Sequence, residues 1–278
     1  MVHLVFVPTP IGNLADITLR ALDTLRACDA IAAEDTRHSG ILLKHYDISK
    51  PLIRLDQHTI ANRGLSALEK YPYLAYITDA GTPGISDPGT ELIQMALQMG
   101  GKVEVLPGPT ALIPALVLSG FPTQPFCFDG FLPRTGRERK ERLHAMSERT
   151  CSTVFYESPH RLVDTLRELI AHAGPERSVS ITRELSKRFE ETFRGSLLQA
   201  TGYFSDGTKG ELVVVLSPGQ PIESETADFE SLARELLKQG LAPREIRTQL
   251  MVHGLKKNAA YALIEQLKIP ISESLTDS

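Results

Sequence analysis

Hydrophobic and polar positions alternate between two periods along the first 119 residues. Residues 2–7 form a short apolar run that ends at Pro8. Residues 17–28 then place Leu19, Leu22, Leu25 and Ala27 near helical spacing. Strand-like runs follow at 30–33, 52–55, 73–78 and 103–106, with helical patterns at 61–70, 91–99 and 110–119. Gly100 and Gly101 stop the second of these helices, as a left-handed terminus would. Strands alternating with helices predict a parallel sheet covered on both faces, with ligands at the carboxyl ends of the strands.

Gly120 to Pro125 reads as a hinge. Beyond it, strands are expected at 126–129, 153–156, 179–183, 190–193 and 212–216, several without a helix between them, which predicts a mixed sheet. Ser158 and Pro159 suggest a helix start, with Leu162, Val163, Leu166, Leu169 and Ile170 as the apolar face and Gly174-Pro175 as the stop. After Pro218-Gly219-Gln220-Pro221 the pattern is helical throughout, at 229–238, 243–252 and 256–268, with a turn at Gly254. The expected organisation is an α/β domain over 1–120, a second α/β domain over 121–220, and a small helical domain over 221–278.

Composition narrows the function classes. The 278 residues are 42% hydrophobic and 23% charged, which is ordinary for a folded globular chain and excludes disorder or low complexity for its bulk. A net charge of −4 leaves any nucleic-acid contact to a local patch. Three cysteines, with no C-x-x-C, fit a reducing cytoplasm and give no zinc framework. The amino terminus lacks the features of a signal peptide, and no apolar run approaches the roughly 20 residues of a membrane span. The eight histidines are scattered, with no H-E-x-x-H, so no metal is expected. There is no G-x-x-x-x-G-K-[ST], no G-x-G-x-x-G and no G-x-S-x-G, which argues against P-loop, nicotinamide and serine-hydrolase chemistry.

The loops carry the chemistry. Thr78 to Gly89, T-D-A-G-T-P-G-I-S-D-P-G, follows a strand and precedes a helix. Its glycines let a backbone approach a ligand, and its prolines hold the turns. Pro8-Thr9-Pro10-Ile11-Gly12-Asn13 and Pro107-Gly108-Pro109-Thr110-Ala111 belong to the same sheet edge by the alternation. Ala33-Glu34-Asp35-Thr36-Arg37-His38 brings two carboxylates, a guanidinium and an imidazole there. A carboxylate so placed can serve as a general base. Arg37 can lock Asp35 as an ion pair or grip a substrate phosphate. Glu157, in Phe155-Tyr156-Glu157-Ser158-Pro159-His160-Arg161, is a further edge carboxylate.

A basic stretch, Arg134 to Arg142, has five positive residues against two negative. Arg134, Arg137, Arg139 and Lys140 suit RNA phosphates, and a solvated helix with i,i+4 pairs suits the pattern equally. The terminal helices, with Lys256 and Lys257, read equally as an RNA clamp or a packing appendage.

Taken together, P-T-P-I-G-N-L at 8–14, A-E-D-T-R at 33–37, the 78–89 loop, F-Y-E-S-P-H-R at 155–161 and R-E-L-S-K at 183–187 resemble the bacterial 16S rRNA cytidine-2′-O-methyltransferases. Those belong to the tetrapyrrole-methylase superfamily, and the resemblance runs in order over about residues 1–220. It implies a homodimer that holds S-adenosylmethionine between two α/β domains and methylates a decoding-region cytidine of the small ribosomal subunit. By position it implies that Pro10, Asp79, Ala80, Gly81, Thr82, Pro83, Ser86, Thr110, Ala111, Tyr156, Glu157, Leu185, Gly210 and Glu211 line the cofactor cleft. Asp35 matches the aspartate proposed as proton acceptor in related methylases. Glu34 and Glu157 are the other candidates for that role. Ser39 and Ser186 stand where threonine is expected in many members; both keep a hydroxyl. The competing readings are a tetrapyrrole C-methyltransferase and a non-catalytic RNA-binding or ribosome-assembly factor.

Overall fold

The computed structural model describes residues 1–85, 89–219, 225–253, 255 and 257–267. The chain divides into two compact units, Met1–Gly219 and Gln220–Ser278.

The first half of the larger unit runs β1 (His3–Phe6), α1 (Leu19–Ala27), β2 (Ala30–Ala33), α2 (Thr36–His45), β3 (Leu52–Arg54), α3 (Ile60–Lys70), β4 (Tyr73–Ile77), α4 (Thr90–Gln98), β5 (Lys102–Val105) and α5 (Leu112–Ser119). The sheet order is β3-β2-β4-β1-β5. Every neighbouring pair is parallel, as the alternation predicts. Both faces are buried, and the period of two divides them. Val5, Ile31, Ala33, Ala75 and Ile77 pack on one side with Leu22 and Leu25 of α1 and Leu43 of α2. Leu4, Phe6, Ala32, Leu74 and Tyr76 pack on the other with Ile60 and Leu68 of α3 and Leu92 of α4. The chain passes from β1 to β2 on one side and from β4 to β5 on the other. The loops after β1, β4 and β5 therefore meet at a switch point, where ligands enter such sheets.

The second half runs β6 (Phe126–Phe131), α6 (Arg137–Glu148), β7 (Ser152–Glu157), α7 (Leu162–Ala173), β8 (Ser178–Arg183), β9 (Glu191–Ser196), α8 (Leu197–Tyr203) and β10 (Leu212–Leu216). Its order is β6-β7-β10-β8-β9. The β6–β7 pair is parallel and the remainder antiparallel, which is the mixed sheet expected. Phe155, Val179, Ile181, Leu212, Val214 and Leu216 face Leu143, Leu166, Leu169 and Leu197. Val154, Val213 and Val215 on the opposite face pack against Leu112, Ala115 and Leu116 of α5. A helix from the first half thus covers the second sheet. Each such fully buried leucine contributes about 1.5–3 kcal/mol.

Helix α7 begins later than Ser158 and Pro159 suggest. The Ser158 amide donates to Glu157 Oε1 at 2.7 Å, and the Ser158 carbonyl accepts from Arg161 N–H at 3.0 Å. Residues 158–161 are spent on a turn, and Arg161 becomes the cap. Helix α8 was not evident from the pattern; Ser196 and Gln199 start it with a reciprocal capping box.

The smaller unit contains α9 (Glu225–Lys238), α10 (Pro243–Val252) and α11 (Lys257–Leu267). Phe229, Ala233, Ile246, Leu250, Ala260, Leu263 and Ile264 form its core, and the Arg247 guanidinium lies 4.2 Å from the Tyr261 ring centre. The turn at Gly254 and the side chains of Lys256 and Lys257 lie outside the described residues. No helix among the described residues is long and apolar enough to cross a membrane.

Candidate active site

Hydrogen bonds join the three edge loops. Thr9 and Gly81 exchange N–H···O bonds of 2.9 Å in both directions, so the loops after β1 and β4 are tied as a two-residue bridge. Gly81 sits at φ +80°, where side chains are disfavoured. The Thr82 hydroxyl donates to the Pro109 carbonyl at 3.0 Å and links the β4 loop to the β5 loop.

The second sheet closes the site from its own loops. Glu184 and Ser186 both hold positive φ, +52° and +67°, on either side of Leu185. Such conformations cost about 1–3 kcal/mol each and persist where surroundings hold them. Here Glu184 N–H donates to the Glu211 carbonyl at 2.9 Å, and Ser186 N–H donates to Glu190 Oε2 at 2.6 Å. The Ser186 hydroxyl reaches Asp16 from the first half. Lys187 Nζ bridges Glu184 and Glu211 at 2.9 and 3.0 Å. Partial burial alone would lower the lysine's proton affinity, but these two carboxylates raise it above the ordinary value. Glu184 is held below its ordinary value by the Glu211 amide and then by Lys187.

A cavity of about 400 Å³ lies among these loops. Asp79, Ala80, Gly81, Thr82, Thr110, Ala111, Tyr156, Glu157, Leu185 and Glu211 line it, ten of the residues that the family resemblance assigns to the cleft. Tyr156 stands in an aromatic wall with Phe128 and Phe131, at ring distances of 5.1 and 5.3 Å. Ile11, Ile85, Phe131 and Pro159 also line the cavity and are not among the residues assigned to it from the sequence. An apolar cavity with a few fixed polar groups is the usual form of a cofactor site. Pro10 lines a smaller, adjoining cavity instead. Pro83 and Gly210 line neither, and Ser86 lies outside the described residues. Gly210 acts from behind: at φ +91°, a Cβ there would sit 2.5 Å from the Glu184 side chain.

Glu157 is at the cavity by position, but its carboxylate is fully buried. It accepts from the Thr165 hydroxyl at 2.6 Å and the Ser158 amide at 2.7 Å, and pairs with Arg161 at 3.3 Å. It supports the turn before α7 rather than presenting a free base.

The acidic edge after β2 is similarly differentiated. Asp35 caps α2. It accepts from the Arg37 amide at 2.8 Å and from the Arg37 guanidinium at 3.2 and 2.8 Å. These bonds hold its carboxyl well below the ordinary aspartate range, and they raise Arg37. Glu34 moves the opposite way: burial, then the charges of Asp79, Asp56 and Asp35, raise it above 4.5. Glu34, Asp35 and Arg37 line neither cavity, whereas Asp79 lines both.

On the second half, Arg134, Arg137 and Lys140 are exposed. Arg139 is turned inward, only 6% exposed, and donates to Glu168, the Pro133 carbonyl and the Thr165 hydroxyl. It is a packing residue of α6 and α7, which withdraws it from the expected phosphate face. Arg137–Glu141 and Arg142–Glu138 form the i,i+4 pairs of a solvated helix.

Two crossed-over sheet halves that enclose an apolar cavity at a parallel switch point define the class. The chain belongs to the family of tetrapyrrole (corrin/porphyrin) methylases, whose pattern it matches over residues 3–201. Among individual proteins, it is 41% identical over 272 residues to ribosomal RNA small subunit methyltransferase I of Synechocystis, covering 96% of this chain and 94% of that one. It is 43% identical over 274 residues to the protein of the same name from Halalkalibacterium halodurans, with 95% and 94% covered. In fold, it resembles uroporphyrin-III C-methyltransferase of Thermus thermophilus complexed with S-adenyl homocysteine, with a TM-score of 0.57 at 18% identity, covering 77% of this chain and 97% of that one. It also resembles diphthine synthase, with a TM-score of 0.59 at 14% identity, covering 77% and 90%.

Proposed function

We propose that this protein methylates RNA of the small ribosomal subunit with S-adenosylmethionine, at the 2′-oxygen of a cytidine, in the cytoplasm and as a homodimer. The two sheet-bearing halves then act as two domains about the cofactor, with the helical unit as a third. The observation that carries the reading is the 400 Å³ cavity, where ten residues assigned by the resemblance converge from four separate loops and the end of β7. Its residues suit the cofactor: Leu185, Ile11 and the Tyr156 wall offer apolar surface, and Asp79 offers negative charge toward a cation.

The cofactor supplies an electrophilic methyl group on a sulfonium centre. The protein's part is to align the attacking oxygen and to take its proton. Asp79 and Glu211 are the carboxylates on the wall of both cavities; Glu211 is paired with Lys187, whereas the charge of Asp79 raises Glu34. We assign the proton to this carboxylate pair, with Asp79 facing the substrate and Glu34 behind it. Asp35, held by Arg37, is a poor acceptor; it fixes the start of α2 and the guanidinium beside it. The exposed Arg134, Arg137 and Lys140 hold RNA phosphates.

Calorimetry with S-adenosylhomocysteine tests the cofactor site. One site per chain is expected, weakened at least tenfold by Leu185→Asp, which buries an unpaired charge in the cavity. Absence of binding would transfer the weight to a non-catalytic RNA-binding factor.

A further inference from the structure

The smaller cavity, about 260 Å³, shares Ile11, Asp79, Ala80 and Glu211 with the cofactor cavity. Among the described residues, three buried side-chain hydroxyls have no hydrogen-bond partner: Ser39, Thr78 and Ser180. Two of the three, Ser39 and Thr78, line this cavity, and they are only 2% and 1% exposed. Neither hydroxyl takes the local partner open to it. A serine within a helix ordinarily bonds the carbonyl four residues back, yet Ser39 leaves the Asp35 carbonyl to its own amide at 3.0 Å. Thr78 contributes its carbonyl to the Thr9 hydroxyl at 3.1 Å while its own hydroxyl stays unused. Buried polar groups are paired almost without exception; both hydroxyls are covered here, so two orphans in one cavity wall mark a place where a ligand completes them once their side chains turn toward it.

The rest of the wall indicates what that ligand is. Pro10, Leu14, Ile41 and Leu42 give apolar surface, His38 and the paired Lys187 and Glu211 add polar groups at its margin, and Asp79 is shared with the cofactor cavity. An apolar slot with two groups that can each donate or accept fits a flat heterocycle with polar edge atoms. We propose that this cavity receives the base of the methyl-accepting nucleotide, splayed out of single-stranded RNA, and that the Ser39 and Thr78 hydroxyls bond its polar edge. The proposal rests on the methyltransferase reading above and names the recognition groups of that same site.

Ser39→Ala and Thr78→Val remove the hydroxyls with little change in volume. Each is expected to raise KM for small-subunit RNA roughly tenfold with kcat within about threefold, since one hydrogen bond to the ligand is lost. S-adenosylhomocysteine affinity stays within twofold, because neither residue lines the cofactor cavity, and Tm does not fall, because no internal bond is lost. Ser39→Thr retains the hydroxyl and restores the KM. If the wild type transfers methyl groups to the RNA and both variants match its KM, the proposal is overturned and the methyltransferase reading stands. A drop in Tm that accounts for the lost activity also overturns it. If the wild type binds the cofactor but transfers nothing to this RNA, the substrate reading fails and the proposal fails with it.

Discussion

What a carboxylate can do depends on what already holds it. Asp35 and Glu34 are adjacent, yet the first is clamped by Arg37 and the second is pushed up by burial and by Asp79. Asp79→Asn is therefore expected to lower kcat by roughly 10²–10⁴, the usual range for losing a general base. Asp35→Asn keeps a good cap and is expected to cost less than tenfold. Glu34 must be deprotonated to draw the proton on, so kcat/KM rises with pH through a limb above the ordinary glutamate value of 4.5. Glu34→Gln removes the titrating group and should remove that limb, which a pH–rate profile reads directly; an unchanged limb would separate Glu34 from the proton. The sequence showed these charges at one edge but not their partners. That Arg37 folds back on Asp35, or that Arg139 points inward while Arg137 points out, is decided by rotamer and packing. Gly210 is assigned to the cleft by the resemblance, but its place behind Glu184 is not legible in the sequence. Its need for φ +91° and for the space taken by Glu184 predicts that Gly210→Ala loses roughly 1–3 kcal/mol, measured by denaturant unfolding.

Helix α5 shows how an element can be read correctly and still be assigned to the wrong neighbour. Its apolar run and its glycine stop are plain in the sequence, and a boundary near residue 120 groups it with the first sheet. Leu112, Ala115 and Leu116 instead pack on Val154, Val213 and Val215 of the second sheet. Periodicity records that a face is buried, not which face meets it. Leu116→Ala should cost about 2–5 kcal/mol and weaken S-adenosylhomocysteine as well, since the helix directly follows Thr110 and Ala111. Helix α6 reconciles two readings of one segment. Its i,i+4 pairs, Arg137–Glu141 among them, are those of a solvated helix, and Arg134, Arg137 and Lys140 are exposed, as the proposed RNA contact requires. Replacing these three by glutamine should reduce the salt dependence of RNA binding by up to about three units of slope, leaving the cofactor untouched.

At the scale of the molecule, ion pairs and edge loops set the response to pH. Asp35, Asp56, Glu104, Glu184 and Glu191 all sit below their ordinary values through hydrogen bonds or charge partners in the folded chain. Their stabilisation is present above about pH 4.5 and is lost as pH falls through the folded values, so Tm should hold near neutrality and drop below that point. Glu34 acts in the opposite sense, favouring the fold slightly more as it gains its proton. The parallel and mixed sheets and the edge at which the cavity lies were readable from one sequence, because period, glycine placement and loop composition are local. The adjoining cavity was not, because its orphan hydroxyls become visible only once Thr78 and Ser39, 39 residues apart, share a wall. The central claim is tested most directly by methyl transfer from labelled S-adenosylmethionine into small ribosomal subunits lacking the modification, with free 16S RNA and a uroporphyrin-type tetrapyrrole in parallel. Label mapped to a cytidine ribose is the predicted result; label in the tetrapyrrole alone, or in no acceptor, would contradict it.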